Sequence, residues 1–246
     1  MAANGRVLIV GIGSGERDTL TSEALQAIAE SDAIVGYKTY TDLIKNLIDG
    51  QEVVSSGMGR EVDRGIKALE LAERGMTVAV ISSGDPGVYG MAGVMLELMQ
   101  QRDSTIPVRV IPGLTAAQLA AAALGAPLMN DYAVISLSDL MTPWEVIEKR
   151  LDLCAQADMV ICLYNPRSHG RTEQIERAAE IISRHQPPDT PVGAVRNAGR
   201  SGQEVLRSDL GSLGRLDLDM SSLVVVGNQT TYFTGGKMIT PRGYKL

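Results

Sequence analysis

The stretch TVAVISSGDPGVYG, residues 77–90, joins an apolar run to a loop built largely of glycine, proline and aspartate. An apolar run followed by a glycine-containing loop recurs in RVLIVGIG, residues 6–13, and in VRVIPG, residues 108–113. Helical stretches separate these runs, among them VDRGIKALELAERG at residues 62–75 and YGMAGVMLELMQQ at residues 89–101. Strands that alternate with helices predict an α/β fold with a largely parallel sheet covered by helices.

Two helix ends can be assigned from single residues. Thr21 or Ser22 opens the Ala/Leu-rich stretch LTSEALQAIAES, and Gly75 follows LELAER. A hydroxyl side chain is favoured at a helix N-cap, and glycine is favoured directly after a helix. We therefore expect one helix to begin near residue 21 and another to end just before residue 75.

The 246 residues are enough for two modest domains. The segment GAPLMND, residues 125–131, interrupts an alanine-rich helical run before the strand-like YAVISLS. We expect a linker there, between an N-terminal α/β domain at residues 1–128 and a C-terminal α/β domain at residues 132–246. In the second domain, QEVLRSDL follows PVGAVRNA across only GRSG, a hairpin-length connection that predicts a mixed sheet. WEVIEKRLDLCAQ, residues 144–156, predicts a helix.

The composition argues against several classes of protein. Hydrophobic residues make up 44% of the chain, yet no apolar run approaches the roughly 18 residues that span a bilayer. The start MAANGRVLIV lacks the basic region and the long apolar stretch of a signal peptide. Basic residues are scattered and the net charge is −6, which disfavours a nucleic-acid partner. Cys154 and Cys162 form no Cys-x-x-Cys pattern. We expect a cytoplasmic protein with no structural metal and no disulfide framework.

The loop GIGSG, with Gly11, Gly13 and Gly15, suggests a dinucleotide site because it directly follows a strand. The Rossmann fingerprint G-x-G-x-x-G requires a glycine three positions after Gly13, but Glu16 stands there. Asp32 also precedes the second predicted strand, where the fingerprint needs an acidic residue at its end. The glycines therefore predict either a tight turn with positive φ or a backbone that lines another ligand.

The loops SGDPGVYG, residues 83–90, and IPGLTAA, residues 111–117, each end a predicted strand. Open parallel sheets bind ligands at the carboxyl ends of their strands, and glycine lets a flat ligand approach the main chain. The two loops therefore predict the floor of a ligand pocket, with simple connections as the alternative. For Asp85, which precedes a proline, we expect a role in organising its own turn rather than acid/base chemistry.

Taken together, these motifs resemble a known family, the tetrapyrrole (cobalamin) methyltransferases. The resemblance extends in order over VGIGSG, SSGDPGVYGMAG, VIPGLTAAQLAAAALGAPL, LYNPRSHGR and VVVGNQTTYFTGGKMITPRGY. Within the family, SLSDLMTPWEVIEKRL, NPRS and TPRGY are most similar to the precorrin-3B C17-methyltransferases, or cobalt-factor III methyltransferases. The resemblance implies two α/β domains of the tetrapyrrole methylase type, with the active site in the cleft between them.

The resemblance further implies S-adenosyl-L-methionine as methyl donor and S-adenosyl-L-homocysteine as product. The expected cofactor-binding residues are Gly84, Asp85, Val88, Tyr89, Thr115, Ala116, Tyr164, Asn165, Ala194, Val195, Arg196 and Thr230. A tetrapyrrole substrate carries carboxylates, which arginines bind in a bidentate manner. The expected substrate-binding residues are Gly13, Gly15, Arg167, Arg171 and Arg242. For any single arginine, an ordinary solvated or subunit-interface position is the alternative.

Methyl transfer from a sulfonium to carbon is an in-line displacement that needs no metal and no protein nucleophile. A glycine-rich cleft suits this chemistry because the protein has only to align the reactants and exclude water. Contraction of the macrocycle also needs proton transfers, for which the candidates are Ser136, Ser138, Asp139 and His169. For Asp139 the alternative is a helix N-cap before LMTPWEV.

The expected function is methylation of C17 of precorrin-3B or cobalt-factor III, with ring contraction to precorrin-4 or its cobalt counterpart. The resemblance also implies a homodimer. One alternative is a methyltransferase that acts on a different carbon of the macrocycle. Alternatives from other classes are a nucleotide-binding oxidoreductase and a non-catalytic ligand-binding protein.

Overall fold

The computed structural model describes residues 5–245, which fall into two compact units that meet in the sequence between Thr115 and Ala116. Each unit contains a five-stranded sheet and its own buried clusters. Every helix within residues 5–245 is too short or too polar to span a membrane.

The first unit is a parallel sheet with helices on both faces. Its strands are β1 (Arg6–Gly11), β2 (Ala33–Tyr37), β3 (Glu52–Ser56), β4 (Thr77–Ser82) and β5 (Val108–Ile111). Its α-helices are α1 (Ser22–Ala29), α2 (Lys38–Leu43), α3 (Glu61–Glu73) and α4 (Met91–Gln101). The strand order is β3-β2-β4-β1-β5, and every pairing is parallel. This confirms the predicted α/β class and the parallel sheet.

Alternate residues of β1 enter different cores. Val7 and Ile9 pack with residues of α3 and α4, whereas Leu8 and Val10 pack with residues of α1. All four side chains are buried. Because both faces of the sheet are covered, the strand needs apolar residues at every position, which explains the uninterrupted apolar run in the sequence.

Both predicted helix ends are confirmed. The Thr21 side chain caps α1 by accepting a hydrogen bond from the Ala24 N–H at 3.0 Å. Gly75 follows α3 with a φ of +92°, and its N–H donates to the Ala72 carbonyl at 2.9 Å. Glycine adopts this left-handed conformation without the steric penalty of a Cβ.

The second unit is built on a mixed sheet, as the sequence predicts. Its strands are β6 (Gly125–Ala126), β7 (Tyr132–Ser136), β8 (Val160–Tyr164), β9 (Pro191–Arg196), β10 (Glu204–Asp209), β11 (Ser222–Val226), β12 (Tyr232–Thr234) and β13 (Lys237–Ile239). Its α-helices are α5 (Ala116–Leu124), α6 (Trp144–Gln156) and α7 (Gln174–Ile182). The main sheet has the order β10-β9-β11-β8-β7, in which only β7 and β8 are parallel. The strands β12, β13 and β6 form a smaller sheet.

The helix α5 lies with the second unit, so the division between the units precedes the linker expected at residues 125–131. Ala120 and Leu124 share a buried cluster with Cys162 and Val195 of the second sheet. The packing is so close that a Cβ at Gly193 of β9 would lie 2.4 Å from a methyl carbon of Leu124. An alanine-rich helix face lets the helix approach a strand closely, which explains its attachment to this sheet.

Candidate functional site

Three strand-end loops of the first unit start side by side at the carboxyl edge of its sheet. They follow Gly11 of β1, Ser82 of β4 and Ile111 of β5, and these strands are neighbours. Two glycines tie the first two loops together. The Gly13 N–H donates to the Gly84 carbonyl at 3.1 Å, and the Gly84 N–H donates to the Gly13 carbonyl at 2.8 Å.

Gly113, in the third loop, packs too closely against the other two loops to allow a side chain. A Cβ there would lie 2.2 Å from the Gly84 carbonyl oxygen and 2.8 Å from the Gly11 carbonyl carbon. A Cβ at Gly11 would lie 2.7 Å from the Gly113 nitrogen. The predicted site residues omit both Gly11 and Gly113. Their position at or just after a strand end was the only sequence signal for this contact.

Both carboxylate oxygens of Asp85 accept main-chain hydrogen bonds. Oδ1 accepts from the Gly87 N–H at 2.8 Å, and Oδ2 accepts from the Gly113 N–H at 3.0 Å. The first bond is the turn-forming contact that the sequence indicates. The second bond joins two loops that lie 28 residues apart in sequence, so Asp85 fixes the shape of the edge.

Tyr89 has a strained backbone at this edge. Its φ is +53° and its side chain is 59% exposed. A bulky residue with positive φ is uncommon, and such strain concentrates at ligand-binding segments. Val88, Thr115 and Ala116, three other predicted cofactor contacts, are half-buried. Contacts of these residues with a methyl donor stay predictions.

The two glycines predicted to bind substrate have local roles. Gly13 and Gly15 have φ values of +56° and +94°. A Cβ at Gly13 would lie 2.7 Å from the Thr19 carbonyl oxygen, and one at Gly15 would lie 2.7 Å from the Leu43 Cβ. Both residues are buried. The turn interpretation therefore accounts for their being glycine, and substrate contact stays a prediction.

In the second unit, several of the predicted site residues lie at the carboxyl ends of the parallel strands β7 and β8. Ser136 ends β7 and lies opposite Tyr164, which ends β8. The Ser136 Oγ accepts from the Asn165 side-chain amide at 2.9 Å and from the Ser138 N–H at 3.2 Å. The Tyr164 hydroxyl accepts from the Ala117 N–H at 3.0 Å. The Ser136 hydroxyl thus orients Asn165 and the backbone of Ser138.

Arg171 lies beside this group and is only 9% exposed. Its Nε donates to the Asn165 carbonyl at 3.0 Å, and its two terminal nitrogens contact the Ser138 Oγ at 3.5 Å and the Met220 Sδ at 3.1 Å. Burial lowers the pKa of Arg171, and the nearby Asp139 carboxylate acts in the opposite direction. The structure therefore brings Ser136, Ser138 and Asp139 together with a predicted substrate-binding arginine.

The helix-cap interpretation of Asp139 is wrong. The helix α6 begins at Trp144 with Pro143 at its N-cap, and Asp139 lies outside it. A proline is tolerated at a helix start because no intrahelical N–H bond is needed there. Asp139 is exposed and accepts from the Gln174 side-chain amide at 3.1 Å. The remaining catalytic candidate, His169, is exposed in the loop that follows β8.

Arg196, at the end of β9, is surrounded by carboxylates. It contacts Glu204 Oε2 at 2.9 Å, Asp217 Oδ2 at 3.0 Å and Asp219 Oδ2 at 3.3 Å. The hydrogen bond with Asp217 is the main cause of its raised pKa. Burial acts to raise the pKa of Asp219, but hydrogen bonds from neighbouring serines and the charge of Arg196 lower it overall. If the methyl donor binds at Arg196, it has to share the guanidinium with carboxylates that already contact it.

The other cofactor candidates of the second unit differ in accessibility. Ala194 and Val195 are buried in clusters on opposite faces of the sheet. Thr230 is exposed, and its N–H and hydroxyl both donate to the Asn228 side-chain oxygen, at 3.1 and 2.9 Å. Asn228 is buried, and it organises this loop although the sequence prediction omits it. Its place two residues after the end of β11, next to Gly227, was the available signal.

Two further arginines predicted to bind substrate contact main-chain carbonyls. Arg167 donates to the Gly214 carbonyl at 3.1 Å, and Arg242 is exposed and donates to the Met129 carbonyl at 3.3 Å. The sequence prediction also omits Gln174 and Met220, the partners of Asp139 and Arg171. These contacts span 35 and 49 residues of sequence, which no local pattern predicts.

Among residues 5–245, no three His, Cys, Asp or Glu side chains are grouped so that they could hold a metal ion.

Comparison with known proteins identifies the family. Residues 6–214 match the family model for Tetrapyrrole (Corrin/Porphyrin) Methylases. The chain is 50% identical over 238 residues to the probable cobalt-factor III C(17)-methyltransferase of Salmonella typhimurium, covering 97% of this chain and 99% of that one. The crystal structure of the methyltransferase CobJ superimposes with a TM-score of 0.90 at 36% identity, covering 96% of this chain and 100% of that chain.

A more distant solved structure shares the fold. The uroporphyrin-III C-methyltransferase of Thermus thermophilus, complexed with S-adenosyl homocysteine, has a TM-score of 0.71 at 21% identity, covering 91% of this chain and 97% of that one. The matches to the family model and to the full-length relatives extend over both compact units. The chain therefore belongs to the tetrapyrrole (corrin/porphyrin) methylase family.

Proposed function

We propose that this chain is a methyltransferase of cobalamin biosynthesis that transfers the methyl group of S-adenosyl-L-methionine to C17 of cobalt-factor III. The observation that carries the proposal is the 50% identity to the Salmonella typhimurium relative over 97% of this chain and 99% of that one. The identity spans both units, so it includes the strand-end loops of each.

The carboxyl edge of the first sheet suits a methyl donor with a flat nucleoside. Gly84 and Gly113 are half-buried at this edge, and the lack of a side chain at Gly113 lets the loops pack closely against one another. Main-chain N–H and carbonyl groups at such an edge can hydrogen-bond the polar atoms of the nucleoside and of the amino acid. The bound donor supplies an electrophilic methyl group on a positively charged sulfur. The chain holds it and excludes water.

Methyl transfer requires that the methyl group and the attacking carbon be aligned, and it requires no protein nucleophile. The positive charge on sulfur disappears as the new carbon–carbon bond forms, so no fixed carboxylate is needed against it. Asp85 fits this requirement, because both of its oxygens already accept main-chain N–H groups and hold two loops in place. Its role is to position the edge.

Ring contraction is a further part of the proposal and needs groups that can move protons. Ser136, Ser138 and Asp139 are near one another at the ends of β7 and β8 and include hydroxyl and carboxylate groups of the required kind. Since the Salmonella relative is named for cobalt-factor III, we favour the cobalt-containing substrate over precorrin-3B. Cobalt enters as part of that substrate.

Two further properties stay predictions: the homodimer, which the resemblance implies, and the cytoplasmic location, which the composition implies. A homodimer would give twice the chain mass of 26.2 kDa in light scattering. The cytoplasmic location would be tested by fractionation of the producing cells.

The decisive experiment is anaerobic incubation of the protein with cobalt-factor III and S-adenosylmethionine labelled with ¹³C in the methyl group. We expect one labelled methyl group per macrocycle, and carbon NMR should assign it to C17. Precorrin-3B is run in parallel, and faster turnover of the cobalt form is expected. A label on another carbon would refute the C17 assignment, and binding of NAD(P) without binding of S-adenosylhomocysteine in calorimetry would refute methyl transfer.

A further inference from the structure

Arg171 is a buried cation whose terminal nitrogens have only weak partners. Its strong acceptor is the Asn165 carbonyl, which takes the Nε–H at 3.0 Å. The terminal nitrogens reach a hydroxyl at the long distance of 3.5 Å and the thioether of Met220. A hydrogen bond of that length is marginal, and a thioether is a weak acceptor. Within the described part of the chain, no carboxylate forms an ion pair with Arg171.

Two other enclosed arginines within residues 5–245 are paired with carboxylates. Arg64 is 5% exposed and donates to Glu61 at 2.7 Å as well as to Ser56 and the Gly57 carbonyl. Arg196 contacts three carboxylates. Taking a guanidinium out of water is unfavourable unless an anion and further acceptors replace the water. Within the described residues, Arg171 lacks the carboxylate partner that Arg64 and Arg196 each have.

The surroundings of Arg171 are fixed by their own hydrogen bonds. Ser136 orients the Asn165 side chain and the Ser138 backbone, and Asn165 in turn holds the Arg171 Nε. The main chains of Ser168 and Arg171 exchange hydrogen bonds at 2.9 and 3.2 Å, which anchors the arginine at its backbone. The guanidinium is therefore preorganised, and the side of it with the terminal nitrogens is the part that lacks strong acceptors.

We propose that Arg171 is the receptor for a ligand carboxylate, with the Ser138 hydroxyl as a second donor beside it. The inference rests on the proposed function and narrows it to one arginine, in preference to Arg167 and Arg242, which contact main-chain carbonyls. Two ligands of that function carry carboxylates: the tetrapyrrole, and the amino-acid end of S-adenosylmethionine. A carboxylate fits the two terminal N–H groups of an arginine in a bidentate manner.

Equilibrium binding to wild type, Arg171→Gln and Arg171→Lys tests the proposal. The probes are cobalt-factor III, the same macrocycle with its carboxyl groups converted to amides, S-adenosylhomocysteine, and its analogue without the carboxylate. Arg184→Gln is the matched control, because Arg184 is an exposed arginine of the same unit, 3.7 Å from Asp152. Melting temperatures of all variants report any loss of folding.

We expect Arg171→Gln to weaken binding of one carboxylate probe by about tenfold to a hundredfold. Binding of the matching carboxylate-free probe should change by less than about threefold, and Arg171→Lys should lie between glutamine and wild type. The probe that responds identifies the source of the carboxylate. The proposal would be overturned if a probe and its carboxylate-free form lost affinity equally, or if no probe lost affinity. Arg171 would then have only a role in holding its loop.

Asp139→Asn keeps the proposal testable if the Arg171 variants do not fold. The Asp139 carboxylate lies close enough to influence Arg171 electrostatically, and it is exposed on the surface. If Arg171 receives a ligand carboxylate, removal of this like charge should tighten binding of the responding carboxylate probe by about twofold to fivefold. Unchanged binding together with a lower melting temperature would make Asp139 the internal partner of Arg171 and overturn the proposal.

Failure of wild type to bind either cobalt-factor III or S-adenosylhomocysteine would instead refute the proposed function itself, and this inference with it.

Discussion

At the scale of single residues, the edge of the first sheet depends on the absence of side chains. Gly13 and Gly84 exchange hydrogen bonds, and Gly113 lies against the carbonyl of Gly84. Asp85 holds the third loop through the Gly113 N–H. The glycine contacts are made by main-chain atoms, and the Asp85 carboxylate adds a side-chain contact to the Gly113 N–H, so a methyl group added at one glycine acts on the neighbouring loops as well.

Substitution of Gly113 by alanine should destabilise the protein and abolish donor binding. Its Cβ would meet three backbone atoms of Gly84 and Gly11 at 2.2 to 2.9 Å, and backbone cannot move aside as a flexible side chain can. We expect a loss of at least about 2 kcal/mol in the free energy of unfolding. Urea unfolding measures the stability, and calorimetry with S-adenosylhomocysteine measures the binding.

Gly57→Ala is the matched control for this substitution. Gly57 follows β3 at the same edge, but a Cβ there would have no atom within 4 Å. The control should change unfolding by less than about 0.5 kcal/mol. Equal stability of the two variants would show that the close approach of Gly113 to Gly84 is absent in solution.

Cys162 should be unreactive in the folded protein. Burial raises the pKa of its thiol to about 12, so at pH 8 about one molecule in ten thousand carries the thiolate. The pKa of Cys154 is also raised by burial, but that residue is only partly buried. In a thiol-titration assay, Cys154→Ala protein should release almost no colour until urea unfolds it, whereas Cys162→Ala protein should react more readily. Rapid reaction of the native Cys154→Ala variant would contradict the burial of Cys162.

At the scale of elements, helix ends and helix faces follow local rules. Thr21 caps α1, Gly75 ends α3, and α6 spans the stretch 144–156 that the sequence predicts. The helix α4 contains one residue that departs from these rules. Gly93 is exposed, and a Cβ there would meet no atom within 4 Å.

Gly93→Ala should therefore stabilise the protein. Alanine reduces the conformational freedom of the unfolded chain, while the helical backbone accepts it without strain. We expect a gain of about 0.5 kcal/mol in the free energy of unfolding, measured by urea denaturation. A loss of stability would mean that this face of α4 is covered in solution.

At the scale of the whole molecule, the assignment of α5 to the second unit can be tested. Leu124 is fully buried, shares a cluster with Val195 and Val225, and lies against Gly193. Leu124→Ala should cost about 2 to 5 kcal/mol, since it removes core contacts and leaves a cavity. Hydrogen exchange should show faster exchange in β9 and β11 and little change in β1 and β4.

Leu124→Met is the control for the cavity, because it nearly conserves the side-chain volume and should cost less than about 1.5 kcal/mol. If the loss of protection were confined to β1 and β4, the division of the units before α5 would be wrong. That result would instead support the linker predicted at residues 125–131.

Much of the candidate site could be predicted from the sequence, because its residues stand at strand ends that the apolar runs reveal. Ser136, Asn165 and Asp85 belong to such strand ends. The structure joins Ser136 to Asn165, whereas Asp85 is joined to Gly113, which the sequence prediction omits. Gln174 and Met220 could not be predicted, since their partners lie 35 and 49 residues away. The sequence also permits a helix that begins just after Asp139, which would make Asp139 its N-cap. In the structure the helix begins later, at Trp144, with Pro143 as its N-cap.

The alternation of strands and helices, the helix ends, the two-unit organisation and the family could all be predicted from the amino-acid sequence. These properties depend on residue order over short distances: apolar periodicity, a capping hydroxyl, a glycine with positive φ and motifs in a fixed succession. Tertiary packing was needed to show where α5 lies, that Gly113 touches Gly11 and Gly84, and that Arg171 is buried with no carboxylate in ion-pair contact among residues 5–245. Those properties arise when strands distant in sequence become neighbours, because burial and close approach depend on which surfaces meet.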